Sequence, residues 1–482
     1  MASRLPDYIA AAQPVPQSNR VAWYKSTAQT YAGIMLWFVF WQDIPTGGGV
    51  SGGALSQGLM IAFAGLVLAA LLCHFLYYLV PGMLGLKTGL PLYIVGTSTY
   101  GATGGFLMPG YLMGVLQFGW LGVNAFFSAV LLCAPWVGGP EAALGTPAHA
   151  IVATVWAVLA AFMGLKGIQY VARVASFLPL IPFAILLILF FSTIGGLGSF
   201  DGGSLAGNAR AAAGEGSASA LTIWGVMAFL LTYIIGFFAT AGAAGTDFGM
   251  NNRDSKDVQL GGMVGIAGAT IFAGGLSLLI VAGACGLGKI DDPTKLQTTT
   301  LMGNIMGTQT ASVFWYLLTI AAFPPACFSA FIAANSFKTT LPKVNPFISV
   351  GIGTLVSIIL AVTGWAGDVV SVFSIIGASF GPVCGAMAAD YLLSGKKWAG
   401  PRAGFNPAGW ISWIAGFIVG AFNSVAALVE PLKEYATIVP VPPLMAFVVG
   451  FVLYLILAKI GLQTRTLEMP ATTQEAAPEP TA

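Results

Sequence analysis

Apolar stretches of about 20 residues, long enough to carry a helix across roughly 30 Å of hydrocarbon, recur along this chain from Tyr31 to Leu457. Only 7% of the 482 residues are charged, against about a quarter in soluble domains, so no soluble fold could clothe its surface. The pattern predicts an all-α polytopic membrane protein, because a helix satisfies its own backbone where no water can.

Breaking the apolar runs at charges, Pro/Gly clusters and polar loops gives about 12 transmembrane helices. Their approximate spans are 28–43, 54–80, 104–133, 149–165, 168–196, 220–246, 258–285, 311–335, 346–364, 369–392, 407–428 and 441–459. With both termini in the cytoplasm, only Arg210, Lys289, Lys295 and Lys433 fall outside, leaving 15 of the 19 basic residues inside. That bias is the one expected of an inner-membrane protein with an even number of crossings. The first run follows a polar stretch of about 25 residues and has no evident cleavage site, so it reads as a helix that stays in place. The resulting segments are a cytoplasmic stretch 1–27, a first five-helix repeat 28–196, an external Gly/Ser/Ala connector 197–219, a second repeat 220–392, two further helices in 393–461, and a disordered cytoplasmic tail 462–482.

Net charge is +2 and the basic residues are scattered, which argues against nucleic-acid binding. The five cysteines show no CxxC spacing and read as packing residues. Enzyme signals are poor. The run GACGLGKI has the glycine-lysine spacing of a phosphate loop, but Ile290 replaces the hydroxyl residue that would hold magnesium, and the run ends a membrane helix. No HExxH or GxSxG pattern and no paired carboxylates mark a catalytic site, so the expectation is a protein without enzyme activity or cofactor.

Spans 1 and 6 carry small residues where a lipid-facing helix would have Leu or Ile, which points to broken helices 1 and 6 of an inverted-repeat transporter. Close packing of small residues, as in the runs Gly261 to Gly265 and Gly416 to Gly420, is the alternative. In span 3, Gln117, Trp120 and Asn124 share one helical face, suited to stacking and hydrogen-bonding a flat heterocycle or else to an interhelical contact. His74 could relay protons, although a bond to a neighbouring backbone carbonyl is the plainer expectation. Asp247 and Asp390 read as interfacial ion-pair residues. Pro324 and Pro325 lie inside span 8 and deprive the carbonyls of Ile320 and Ala321 of their helical donors.

Four ordered segments then resemble the nucleobase:cation symporters of the purine and cytosine permease family, above all the bacterial cytosine permeases. They are PVPQSNR, GLKTGLPLYIVGTSTYG with LQFGWLGV, GFFATAGAAGTDFGMNNRD, and GPVCGAMAADYLL. The resemblance runs from about Pro14 to Lys397 and implies two inverted five-helix repeats plus two C-terminal helices. It also implies symport of a nucleobase or related heterocycle with sodium or protons. By the same resemblance Trp120 stacks on the base, Gln117 reads its edge, and Phe238, in the broken part of helix 6, closes its other face. Gly236, Phe237, Thr240 and Asn124 complete the substrate set. Ala32 and Met35 fall where the family's helix 1 contributes to a sodium site. Helix 8 departs from the family, lacking its Asn/Thr run, which puts cytosine itself and sodium coupling in question. Adding the two freed carbonyls and the Thr319 hydroxyl to Ala32 and Met35 gives a hypothetical sodium cage, with a simple proline kink as the alternative. The other functions left open are symport of an amino acid or vitamin on the same fold and a ligand receptor that does not transport.

Overall fold

The computed structural model describes residues 5–214 and 219–469. Its architecture is helical, and among the described residues ten helices are long and apolar enough to span a membrane. In chain order the spans are α1 (Thr27–Leu36 with Phe38–Trp41), α2 (Leu59–Thr88), α3 (Phe106–Val137), α4 (Pro147–Lys166), α5 (Ile168–Ser199) and α6 (Ile223–Ala243). The second half continues with α7 (Ser255–Gly286), α8 (Thr308–Thr340), α9 (Pro346–Val362), α10 (Val369–Leu393), α11 (Pro407–Leu428) and α12 (Pro442–Lys459). The broken α1 and the 17-residue α9 bring the ten to twelve.

The inverted repeat is visible in matching irregularities. Helix α1 breaks at Trp37, whose extended backbone (φ −60°, ψ 127°) separates two helical pieces. Its counterpart α6 ends at Ala243 and resumes as Gly245–Gly249. Helices α2 and α7 each contain one π turn, Cys73–Tyr78 and Met263–Gly268. Both α3 and α8 carry internal prolines. The helix 6 break therefore lies beyond Phe238, which sits in regular helix, contrary to the expectation from the sequence.

Small residues bring these helices close. A Cβ at Gly265 would lie 2.6 Å from the Ala28 Cα, and one at Gly262 would lie 2.4 Å from His74 Nδ1, so the Gly261 to Gly265 run is a packing stripe between α7 and the helices α1 and α2. Gly416 and Gly420 serve the same purpose where α11 meets Pro382 and Ala378 of α10. Four of the cysteines are buried, and all five are free thiols.

Several expectations need correction. The Gly/Ser/Ala connector holds a helix, Gly202–Ala213, because Asp201 caps its first turn by accepting from the Gly203 and Ser204 N–H groups. The beginning of the tail is hydrogen-bonded: Ala403 N–H donates to Arg465 O (2.9 Å) and Leu467 N–H to Pro401 O (2.7 Å). The rest of the expected disordered tail, residues 470–482, lies outside the described residues. His74 is buried against α7, but its Nδ1 finds no carbonyl. His149 makes that kind of bond instead, to Phe126 O at 3.1 Å. Asp390 pairs with Arg402 at 2.8 Å as expected and also accepts from Ser98 and Tyr454, whereas Asp247 accepts from the Leu92 N–H and has no ion-pair partner among the described residues.

Candidate functional site

A cavity of about 730 Å³ lies between α1, α3, α5, α6 and α8. Its deep end is lined by Trp37, Phe38, Gln117, Trp120, Asn124, Phe237, Thr240, Leu318 and Ala321, and its mouth by Lys25, Ser26, Ser176, Asp247, Ser329 and Ile332. The mouth thus lies at the end of the molecule where the N-terminal segment enters α1. Burial pushes the Asp247 carboxyl there up to about 6, against the opposing effect of its bond from the Leu92 N–H.

Helical periodicity sets which predicted residues reach this space. Trp120 and Gln117 project from α3, three positions apart. The Trp120 ring meets Phe237 edge-on at 5.0 Å, and its Nε1 donates to Thr240 Oγ1 at 3.2 Å, so α3 and α6 present one aromatic corner. Trp37, at the α1 break, lies 6.2 Å from both rings and adds a third aromatic wall. Phe373 of α10 backs Trp120 at 5.3 Å and fixes its plane. The Gln117 amide nitrogen has only the Met113 thioether, at 3.6 Å, a weak acceptor that leaves the amide able to read a ligand edge.

Two members of the predicted substrate set are placed elsewhere. Phe238 is fully buried outside the cavity, against Tyr31 at 5.7 Å, because one residue step along α6 turns a side chain by about 100°. Phe237 takes the cavity-facing position. Gly236 packs on α10, where a Cβ would come within 2.5 Å of Phe373 O. Asn124 does line the cavity, but its amide is occupied: Nδ2 donates to Ala322 O (2.9 Å), while Oδ1 accepts from Trp156 Nε1 (2.9 Å) and Ser128 Oγ (3.2 Å). It is the interhelical contact that the sequence left open, and it supports α8 beside the two prolines.

Of the five residues of the hypothetical sodium cage, four do not border the cavity. The Thr319 hydroxyl donates to Trp315 O at 2.8 Å, and the Ile320 side chain is 52% exposed. Only Ala321 lines the cavity, and α8 runs unbroken through Pro324 and Pro325.

Beyond the second piece of α1 lies a buried polar cluster that the sequence reading missed. Gln42 and Asp43 follow that piece and are both buried. Gln297 Nε2 donates to Asp43 Oδ1 (2.8 Å), Thr299 Oγ1 donates to Gln42 Oε1 (2.9 Å), and Ser277 Oγ of α7 donates to Trp41 O (2.7 Å). The Tyr233 hydroxyl is 3.0 Å from both the Val39 and Phe40 carbonyls. A signal was present in two polar runs, WQD at the end of span 1 and QTTT before span 8.

No family model and no curated protein matches the chain. Solved structures do. The inward-facing conformation of Mhp1 superposes with a TM-score of 0.63 at 15% identity, covering 98% of both chains. Mhp1, described as a nucleobase-cation-symport-1 family transporter, in a closed conformation with bromovinylhydantoin bound, gives 0.59 at 14% identity over 98% of this chain and 99% of that one. A Na+-coupled sialic acid symporter in a substrate-bound outward-open state gives 0.53 at 14% identity over 94% and 92%. The chain therefore has the fold of these cation-coupled transporters along nearly its whole length.

Proposed function

We propose that this protein is a secondary active transporter of a flat, uncharged, nucleobase-like heterocycle, driven by a cation and working by alternating access. The observation that carries the reading is the aromatic corner of Trp120 and Phe237 with the Gln117 amide, held only by a thioether, beside it in one cavity. Aromatic faces desolvate both sides of a ring at little rotamer cost, and the amide can donate and accept along its edge. The charged residues that line the cavity, Lys25 and Asp247, both belong to its mouth, so the deep end offers no counter-ion to an amino acid's charged groups. In this reading the protein sits in the inner membrane with both termini cytoplasmic, and the cavity opens inward.

In this reading the coupling cation is sodium or a proton, and a sodium site would be sought between the helix-1 carbonyls of Ala32 and Met35 and α8. The test of recognition is thermal stabilisation of the purified protein by nucleobases, hydantoins, amino acids and vitamins, with and without sodium. A ligand at 100 times its Kd stabilises by about 2.7 kcal/mol. Heterocycles should stabilise and amino acids should not. Gln117→Leu should weaken ring compounds with an amide-like edge by about 1–3 kcal/mol and spare those without it. Stabilisation by amino acids alone would refute the reading.

A further inference from the structure

Among the described residues nine buried side-chain nitrogen or oxygen atoms have no hydrogen-bond partner, and three of them, Trp37 Nε1, Gln42 Nε2 and Asp43 Oδ2, fall within residues 37–43 of the outer half of α1. A native structure leaves few such groups, and their concentration in one segment marks it as better satisfied in another arrangement. Asp43 is the critical member. It is 8% exposed, one oxygen accepts from Gln297 at 2.8 Å, and the other has only the adjacent Gln42 amide near it, out of hydrogen-bonding geometry.

A carboxylate in that setting is a buried charge with half its acceptor capacity unused, whereas a neutral carboxyl is a modest burden. Among the described residues no cation pairs with it. The titratable group facing it from α6 is Tyr233, whose hydroxyl serves the Val39 and Phe40 carbonyls. In the α7–α8 connection Lys289 bonds Ile305 O, and Lys295 bonds Glu141 and lies 3.4 Å from Asp292. The neighbouring side chains of α7 and α8, Ser277 and Trp315, do not titrate in the physiological range. We propose that the outer end of α1 is a proton-operated latch: the seal closes around Asp43 in its neutral form, and ionisation of Asp43 favours the outer-open arrangement, where water solvates the carboxylate. The latch rests on the alternating-access reading but not on the identity of the substrate.

With one proton involved, the ratio of closed to open should fall by up to about tenfold per unit rise in pH, between the carboxyl's titration in the open form and in the closed form. The test is a spin-label distance across the outer face of the full-length protein in lipid nanodiscs, with no substrate added. Labels on cysteines at the exposed positions Asn208 and Gln309, with Cys285→Ser, report the opening. Raising the pH should move the distance distribution to the long population. Asp43→Asn should hold the short population at every pH, and Asp43→Glu should restore the response, which separates titration from misfolding. A response that persists in Asp43→Asn, or that vanishes in Asp247→Asn instead, overturns the latch, as does a wild-type distribution unmoved by pH. Because no transported compound is needed, failure to find a substrate would count against the proposed function and leave this result standing.

Discussion

The two halves of α1 are built on opposite plans although they belong to one interrupted helix. The first half, Thr27–Leu36, puts the exposed Gln29 and Thr30 at the cavity mouth, and the Thr30 hydroxyl is already satisfied by Ser26 O at 2.8 Å. The second half, Phe38–Trp41 with Gln42 and Asp43, is buried, and its polar groups depend on α6, α7 and the segment before α8. Changing partners would cost the first half little, since water replaces them. The second half can change partners only by opening. The break at Trp37 lets one helix serve a solvated passage and a dry seal at once.

The largest effect should come from Phe238, which packs on Tyr31 behind the first half. Phe238→Ala should lower stability by about 3–5 kcal/mol by leaving a cavity. Phe237→Ala, one residue away, also removes a buried ring but one that borders the existing cavity, so it should cost less stability than Phe238→Ala and abolish the ligand-induced shift, which Phe238→Ala should keep. A ligand-induced shift retained in Phe237→Ala would erase the distinction between wall and site.

At the second half the expected effect is smaller. Gln297→Leu removes the donor 2.8 Å from Asp43 Oδ1 and should weaken the closed seal by about 1–3 kcal/mol, read as growth of the long-distance population in the spin-label measurement. An unchanged distribution would mean that the polar cluster does not hold the seal. The least effect belongs to the solvated half, where Gln29→Ala should change stability by no more than about 0.5 kcal/mol.

Much of this organisation was legible in the sequence because its causes are local. Apolar run lengths gave the spans, and the spacing of Gln117 and Trp120 gave their shared face. What could not be read depended on angle and on distant partners. The periodicity of α6 does not reveal which of two adjacent phenylalanines faces the cavity until its neighbours are placed, and the sequence put both Phe237 and Phe238 in the substrate set. Trp37 has no helix-breaking chemistry, so the position of the α1 break follows from packing against α3 and α6. Asn124 and Gln117 look alike in sequence, yet Trp156, Ser128 and Ala322 occupy one while only a thioether meets the other. The outer seal joins residues more than 250 positions apart, so nothing within either run announces it.

The most direct test of the central claim is uptake of labelled nucleobases, related heterocycles and amino acids into proteoliposomes with sodium or proton gradients imposed separately. The account predicts that at least one flat, uncharged heterocycle accumulates against its gradient in the wild type, and that Trp120→Ala, though folded, does not accumulate it. Undiminished accumulation in Trp120→Ala, or accumulation of amino acids alone, would contradict it.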